Sequence, residues 1–194
     1  MVSSQGFVRV GALAAAVSKK EKMAIPKVTT MLREMKHRGA DAHGVATPNS
    51  VFVAKSVEEI MEKKLNSSVA LGHNLSKILS RDQTQPVQGE GFTLVFEGRW
   101  FPPPVKPEVR EVMRKLESDP FKNAGHVIEE LDGSYAFAVA LPHKVIAGRD
   151  ALGICPLYYG ENEATCAVAS ERKALWAIGI DKVRSFPPGN LAMF

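Results

Sequence analysis

Glu130-Leu131-Asp132-Gly133-Ser134-Tyr135-Ala136-Phe137-Ala138 runs ahead of Gly148-Arg149-Asp150-Ala151-Leu152-Gly153-Ile154-Cys155-Pro156-Leu157-Tyr158-Tyr159-Gly160, and the reading of this chain turns on that stretch. It reads as a succession of strands. Residues 134–141, 144–149, 156–159 and 165–169 are short apolar runs bounded by turn residues. A short helix is expected at 173–179.

Working upstream, Val127, Ile128 and Leu131 form one helical stripe, and Val109, Val112, Met113 and Leu116 form another. Pro102-Pro103-Pro104 before them is a stiff extended connector. Residues 7–17, 68–72 and 92–96 read as strands, and 77–89 as a polar loop. Val28, Met31, Leu32 and Met35 recur at helical spacing behind Pro26, in a helix that should end before Gly39. Residues 44–47 and 51–54 pair around the turn cluster Pro48-Asn49-Ser50. Ser56 is a candidate N-cap for a helix over 57–64, with Glu59 as its capping-box partner. The pattern alone gives an α+β fold with antiparallel sheets flanked by helices.

The composition of the 194 residues is that of an ordinary globular protein, and one core can bury most of the apolar side chains. The net charge of +4 is spread along the chain, with Lys19-Lys20 and Lys63-Lys64 its densest pairs. Nucleic-acid binding calls for a clustered basic patch, so none is expected. The apolar run 10–17 is too short for a bilayer, which takes about 20 residues, so no membrane span and a cytoplasmic location are expected. Cys155 and Cys166 are too few for a disulfide framework and are expected as reduced thiols. No metal-ligand spacing occurs, and no cofactor is implied.

The motif order resembles the N-terminal glutaminase domain of glutamine-dependent asparagine synthetases, a class II glutamine amidotransferase domain of the Ntn-hydrolase superfamily. The opening stretch carries most of the likeness, with Ala169-Ser170-Glu171-Arg172-Lys173-Ala174-Leu175 and Phe186-Pro187-Pro188-Gly189 after it. His37-Arg38-Gly39-Ala40-Asp41, Gly72-His73 and Gln85-Pro86 resemble further family motifs. The resemblance implies a four-layer αββα sandwich with largely antiparallel sheets. It covers 8–194, behind an N-terminal extension of 1–7, and no phosphate-binding Ser-Gly-Gly stretch of a synthetase domain follows.

The catalytic positions depart from the family. Its nucleophile is an N-terminal cysteine whose own α-amine serves as base. Here Val10-Gly11-Ala12-Leu13-Ala14-Ala15 resembles the family's opening Met-Cys-Gly-Ile-Ala-Gly, which puts Gly11 in the cysteine's place, and no cysteine precedes Cys155. The family's Asn-Gly-Glu, whose asparagine donates to the oxyanion, is matched by Glu97-Gly98-Arg99. Leu75 falls where the arginine that grips the substrate carboxylate belongs, with Lys77 as a poor stand-in, and Ala124 falls where an aspartate would hold its amine.

No catalytic residue is therefore expected. Glu97, Gly98, Arg99, His73 and Asn74 are the candidate lining of a degenerate pocket for a small amino-acid-like ligand. Glu97 and Arg99 are expected on one face of a strand, either paired with each other or remaking the pocket. Arg149 and Asp150 are expected to pair at a strand end, Ser170-Glu171 to cap a helix, and His37, Arg38 and Asp41 to brace a loop. Two functions compete. One is an inactive glutaminase-like domain that binds a metabolite or a partner, such as a synthetase-type enzyme or a second copy. The other is a stand-alone glutaminase subunit supplying ammonia to a separate synthetase; its nucleophile would have to be Ser3, Ser4 or Ser18.

Overall fold

The computed structural model describes residues 11–194. Its architecture is two stacked sheets with helices on both outer faces. The first sheet has seven strands, in the order β11 (Arg184–Ser185), β9 (Tyr158–Glu161), β10 (Thr165–Ala169), β1 (Ala12–Ser18), β4 (Val69–Leu75), β2 (Ala42–Thr47), β3 (Ser50–Ala54). The second has five: β12 (Leu191–Met193), β8 (Lys144–Arg149), β7 (Gly133–Leu141), β6 (Thr93–Trp100), β5 (Val87–Gln88). Every neighbouring pair in both sheets is antiparallel. Helices α1 (Ala24–Glu34), α2 (Val57–Glu62) and α5 (Arg172–Trp176) cover the first sheet, and α3 (Glu108–Leu116) and α4 (Pro120–Glu130) cover the second. This is the expected four-layer αββα sandwich.

Side-chain alternation along the strands sorts residues among three apolar layers. On β1, Ala12, Ala14 and Ala16 face α1, while Leu13 and Ala15 face the other sheet. On β7, Tyr135, Phe137 and Val139 meet α3 and α4, while Ala136, Ala138 and Ala140 fill the seam between sheets. Small residues on the seam let the sheets close up; bulky ones on the outer faces meet the helix stripes. Val28, Met31, Leu32 and Met35 are all fully buried, as their spacing requires. Burying a side chain of that size contributes about 1.5–3 kcal/mol.

The Ser56 cap is present: its Oγ accepts from Glu59 N at 3.2 Å. Other local readings need correction. β6 runs on through Trp100 instead of stopping at 96, because Glu97, Gly98 and Arg99 keep their ladder with β7. β5 lies inside the expected 77–89 loop, and β11 and β12 are too short to show a period. Ser170 does not cap α5; its Oγ accepts from Leu13 N at 3.0 Å, tying β10 to β1, and the N-cap Glu171 makes no side-chain cap bond. Arg149 and Asp150 take different partners. Arg149 donates to the Cys155 and Phe186 carbonyls, each at 2.7 Å, while Asp150 accepts from the Leu152, Ile154 and Cys155 amides. The pair is a loop clamp in which Asp150 is spent on backbone amides and Arg149 on backbone carbonyls and the Ser185 hydroxyl. Residues 7–10 of the expected first strand, and Ser3 and Ser4, lie outside the described residues. Among the described residues no helix is long and apolar enough to cross a membrane.

Candidate functional site

A cavity of about 250 Å³ opens at one end of the seam between the sheets. Gly11 reaches it from just ahead of β1, β4 delivers His73 and Leu75, and β6 delivers Phe96, Glu97, Gly98 and Arg99. Four of the five candidate lining residues are thus brought together around Gly11.

Asn74 is the exception, for a simple reason. Neighbours on a strand point to opposite faces. Leu71 and His73 face the seam, so Asn74 faces α1, where Nδ2 donates to the Leu32 carbonyl at 2.8 Å and Oδ1 meets His43 Nδ1 at 2.7 Å. Asn74 is spent on holding α1 and β2 to β4.

Glu97 does not pair with Arg99. Its Oε2 lies 2.9 Å from His73 Nε2, a contact buried between the sheets. Arg99 donates from Nη2 to Asp82 Oδ2 at 2.9 Å, and its Nη1 stands 4.0 Å from Glu108 Oε1. Between them Gly98 has φ +128, a backbone state that glycine alone takes up readily, while the side chains of Glu97 and Arg99 both line the cavity. A Cβ on Gly98 would also stand 2.6 Å from Tyr135 Cα.

Glu97 also bears on Gly11. A Cβ built on Gly11 would meet Glu97 Oε2 and lie 2.9 Å from its Cδ. The carboxylate fills the space from which any side chain at position 11 would start. Arg38 Nε donates to the Gly11 carbonyl at 3.0 Å, and Glu171 gathers Arg38, His37 and Lys173 around it. Asp41 Oδ2 accepts from Lys77 N at 2.7 Å. His37, Arg38 and Asp41 thus brace the segment after α1 against its neighbours.

Leu75 lines the cavity where a carboxylate-gripping arginine was sought, and Lys77 is exposed. Ala124 is buried in α4 against the outer face of the second sheet, away from the cavity. Sequence reasoning missed Asp82, Glu108 and Gln85. Gln85 brackets Phe96, donating to its carbonyl at 2.9 Å and accepting from its amide at 2.7 Å. Only the Gln85-Pro86 motif gave any signal; Asp82 sits in the loop read as polar, and Glu108 opens a helix whose apolar stripe drew the attention.

Neither cysteine is a poised nucleophile. Both are free. Burial, then the charge of Glu97, pushes the Cys155 thiol up to about 12, and burial likewise raises Cys166. Reactive thiols need the opposite shift. Among the described residues no group of three or more His, Cys, Asp or Glu is placed to hold a metal ion.

A family model described as a glutamine amidotransferase domain matches residues 10–185. A Methanocaldococcus jannaschii protein provisionally named asparagine synthetase (glutamine-hydrolyzing) 1 is 32% identical over 166 residues, 78% of this chain and 30% of that protein. Asparagine synthetase (glutamine-hydrolyzing) 2 of Oryza sativa subsp. japonica is 26% identical over 182 residues, 85% of this chain and 27% of that one. The chain therefore spans under a third of the length of these relatives. Among solved structures, the glutamine phosphoribosylpyrophosphate amidotransferase of B. subtilis superposes with a TM-score of 0.78 at 18% identity, over 94% of this chain and 46% of that one. A glutamine aminotransferase class-II domain protein from Silicibacter pomeroyi gives 0.56 at 12% identity, over 94% of each chain.

Proposed function

The chain belongs to the class II glutamine amidotransferase domain family, and from that premise we propose that it has lost glutamine hydrolysis and works by binding. The observation that carries this reading is the Glu97 carboxylate in the space a nucleophile at position 11 would occupy. Family chemistry needs a thiolate there and a donor for the oxyanion across from it. Here the first position has no side chain. The second holds a group that, ionised, only accepts hydrogen bonds and carries the oxyanion's own charge. Leu75 in place of the carboxylate-binding arginine removes the substrate's main grip as well.

What remains is the two-sheet sandwich with a small cavity beside Gly11. A metabolite in that cavity, or a partner of the synthetase type reading the domain's surface, are the roles such a scaffold can serve. The reading takes 8–194 as one domain.

The test is release of glutamate and ammonia from glutamine by the full chain, with intact mass recorded to define its N-terminus. No release above the uncatalysed rate is expected. Release that stops on treatment with a glutamine-mimicking affinity label would overturn the proposal. It would make the chain a stand-alone glutaminase subunit supplying ammonia to a separate synthetase.

A further inference from the structure

We infer that the face built by α5, the end of β10 and Arg38 docks an acidic segment of a partner protein, with an aliphatic residue of that segment against Trp176. The inference rests on the reading of the chain as a domain that works by binding, and names the chemistry of its partner.

A shallow, open depression of about 400 Å³ lies on this face, apart from the cavity at Gly11. Its wall includes Arg38, Tyr158, Glu171, Arg172, Lys173 and Trp176. Charge decides the sign of the occupant. Three permanent cations, Arg38, Arg172 and Lys173, stand against one carboxylate, Glu171. Glu171 already meets Arg38, Lys173 and His37. Residues 1–10 contain no Asp or Glu, so they can add no carboxylate to the balance. The face therefore stays positive even with His37 neutral, and it steers and orients acidic groups.

The residue types point to a protein. Trp176 is 52% exposed, a large ring left in water. Arg172 and Trp176 are four residues apart on α5, so their side chains are neighbours. The Arg172 guanidinium lies 4.8 Å from the centre of the Tyr158 ring. Trp, Tyr and Arg are the residues that dominate binding energy at protein interfaces. Two of the cations are also held in place beforehand. Arg38 Nε donates to the Gly11 carbonyl at 3.0 Å, and Arg172 Nη1 to the Val183 carbonyl at 3.2 Å. Less side-chain freedom is then lost when a carboxylate arrives.

Other occupants fit less well. Small-molecule sites bury most of the ligand, and this depression is too open for that. Single-stranded nucleic acid calls for basic groups strung along a groove. Here they gather around Glu171, which repels phosphate but accepts a backbone N–H. A peptide brings both carboxylates and N–H donors.

The experiment follows tryptophan emission while the full chain is titrated with the acetylated, amidated peptide Glu-Glu-Leu-Leu-Glu-Glu. A saturable change is expected. It should weaken as salt rises from about 0.05 to about 0.5 M. It should vanish in Trp176→Phe, since the other tryptophan, Trp100, packs with the helices of the second sheet. Arg172→Glu and Lys173→Glu, both at exposed positions, should each weaken binding by about tenfold or more. Lys63→Glu, the same charge reversal beside Phe52 at the end of α2, should change it by less than about twofold. Circular dichroism checks the fold of each variant. The inference is overturned by no emission change, by a change that survives Trp176→Phe, by equal binding of Lys-Lys-Leu-Leu-Lys-Lys, or by equal weakening in Lys63→Glu. Sodium pyrophosphate or an oligothymidylate binding as tightly as the acidic peptide would also overturn it, in favour of a phosphate site. All of these leave the loss of hydrolysis standing, and glutamine turnover would overturn that loss whatever the peptide does.

Discussion

His73 Nε2 and Glu97 Oε2 lie 2.9 Å apart across the seam, joining β4 of one sheet to β6 of the other. Both side chains are nearly sealed from water, so no solvent molecule can readily replace either partner. Glu97→Ala leaves Nε2 without its partner on a ring whose Nδ1 already has none among the described residues. The expected loss is about 1–3 kcal/mol of unfolding free energy. Glu97→Gln keeps an oxygen in reach and should cost less than about 1 kcal/mol. Urea unfolding of the three proteins checks the order; equal stability of the Ala and Gln variants would remove the role given to the bond.

Gly11 and Glu97 should behave as one unit. Gly11→Ala brings a Cβ to 2.9 Å from Glu97 Cδ and 2.9 Å from the Asn74 carbonyl oxygen. Overpacking of this kind costs about 1–3 kcal/mol. In a Glu97→Ala background the first clash is gone and the second remains. The cost of Gly11→Ala should then shrink without vanishing, with a coupling of about 0.5–3 kcal/mol. A strictly additive cycle would show that Glu97 is not the obstacle.

Legibility in the sequence followed the range of the physics. The helix stripe from Val28 to Met35 and the strand runs of the C-terminal third are local patterns and are found where they were expected, except that the run expected at 156–159 pairs as Tyr158–Glu161, two residues on. Gly11, His73, Glu97 and Gly98 came from motif resemblance and do converge on one cavity. Asn74 was misplaced because a motif names neighbours, while a strand sends neighbours to opposite faces. Arg99 lines the cavity with Glu97, but the two do not pair, since Glu97 meets His73 and Arg99 meets Asp82. Asp82 and Glu108 meet Arg99 only through tertiary packing, 17 residues away in the chain for Asp82, and no local pattern marks them.

The Asp150 clamp gives a sharper stability test. Its carboxylate accepts from the Leu152, Ile154 and Cys155 amides at 2.9 to 3.2 Å and is fully buried. Asp150→Ala strands all three donors. The expected cost exceeds about 2 kcal/mol, because each unmade buried bond costs about 1–3 kcal/mol and the loop relaxes to recover part of it. Asp150→Asn keeps one acceptor oxygen and should cost less. Thermal melts at matched concentration decide; an Asn variant as unstable as the Ala variant would show that charge, and not bond count, holds the loop.

Alkaline pH should weaken the fold through Cys155 and Tyr135. Burial, then the charge of Glu97, lifts the thiol from 9.0 to about 12, and burial, then Asp150, lifts the phenol from 10.0 to about 12. Both groups are neutral when protonated, and the folded state keeps those protons longer. Between the unfolded and folded values the unfolded chain binds fewer protons, so unfolding free energy falls as pH rises. The stabilisation is fully present below about pH 9 and is lost progressively toward about 12. Urea unfolding at about pH 8 and about pH 10.5 should show the decline, and Cys155→Ala should decline less over the same interval because one of the two protons is gone. Thiol labelling near pH 8 gives an independent reading: Cys166 is partly exposed and should react first, while Cys155 should react only on unfolding. Parallel declines in the two proteins, or rapid native labelling of Cys155, would mean that its thiol is not held neutral by burial against the back of Glu97.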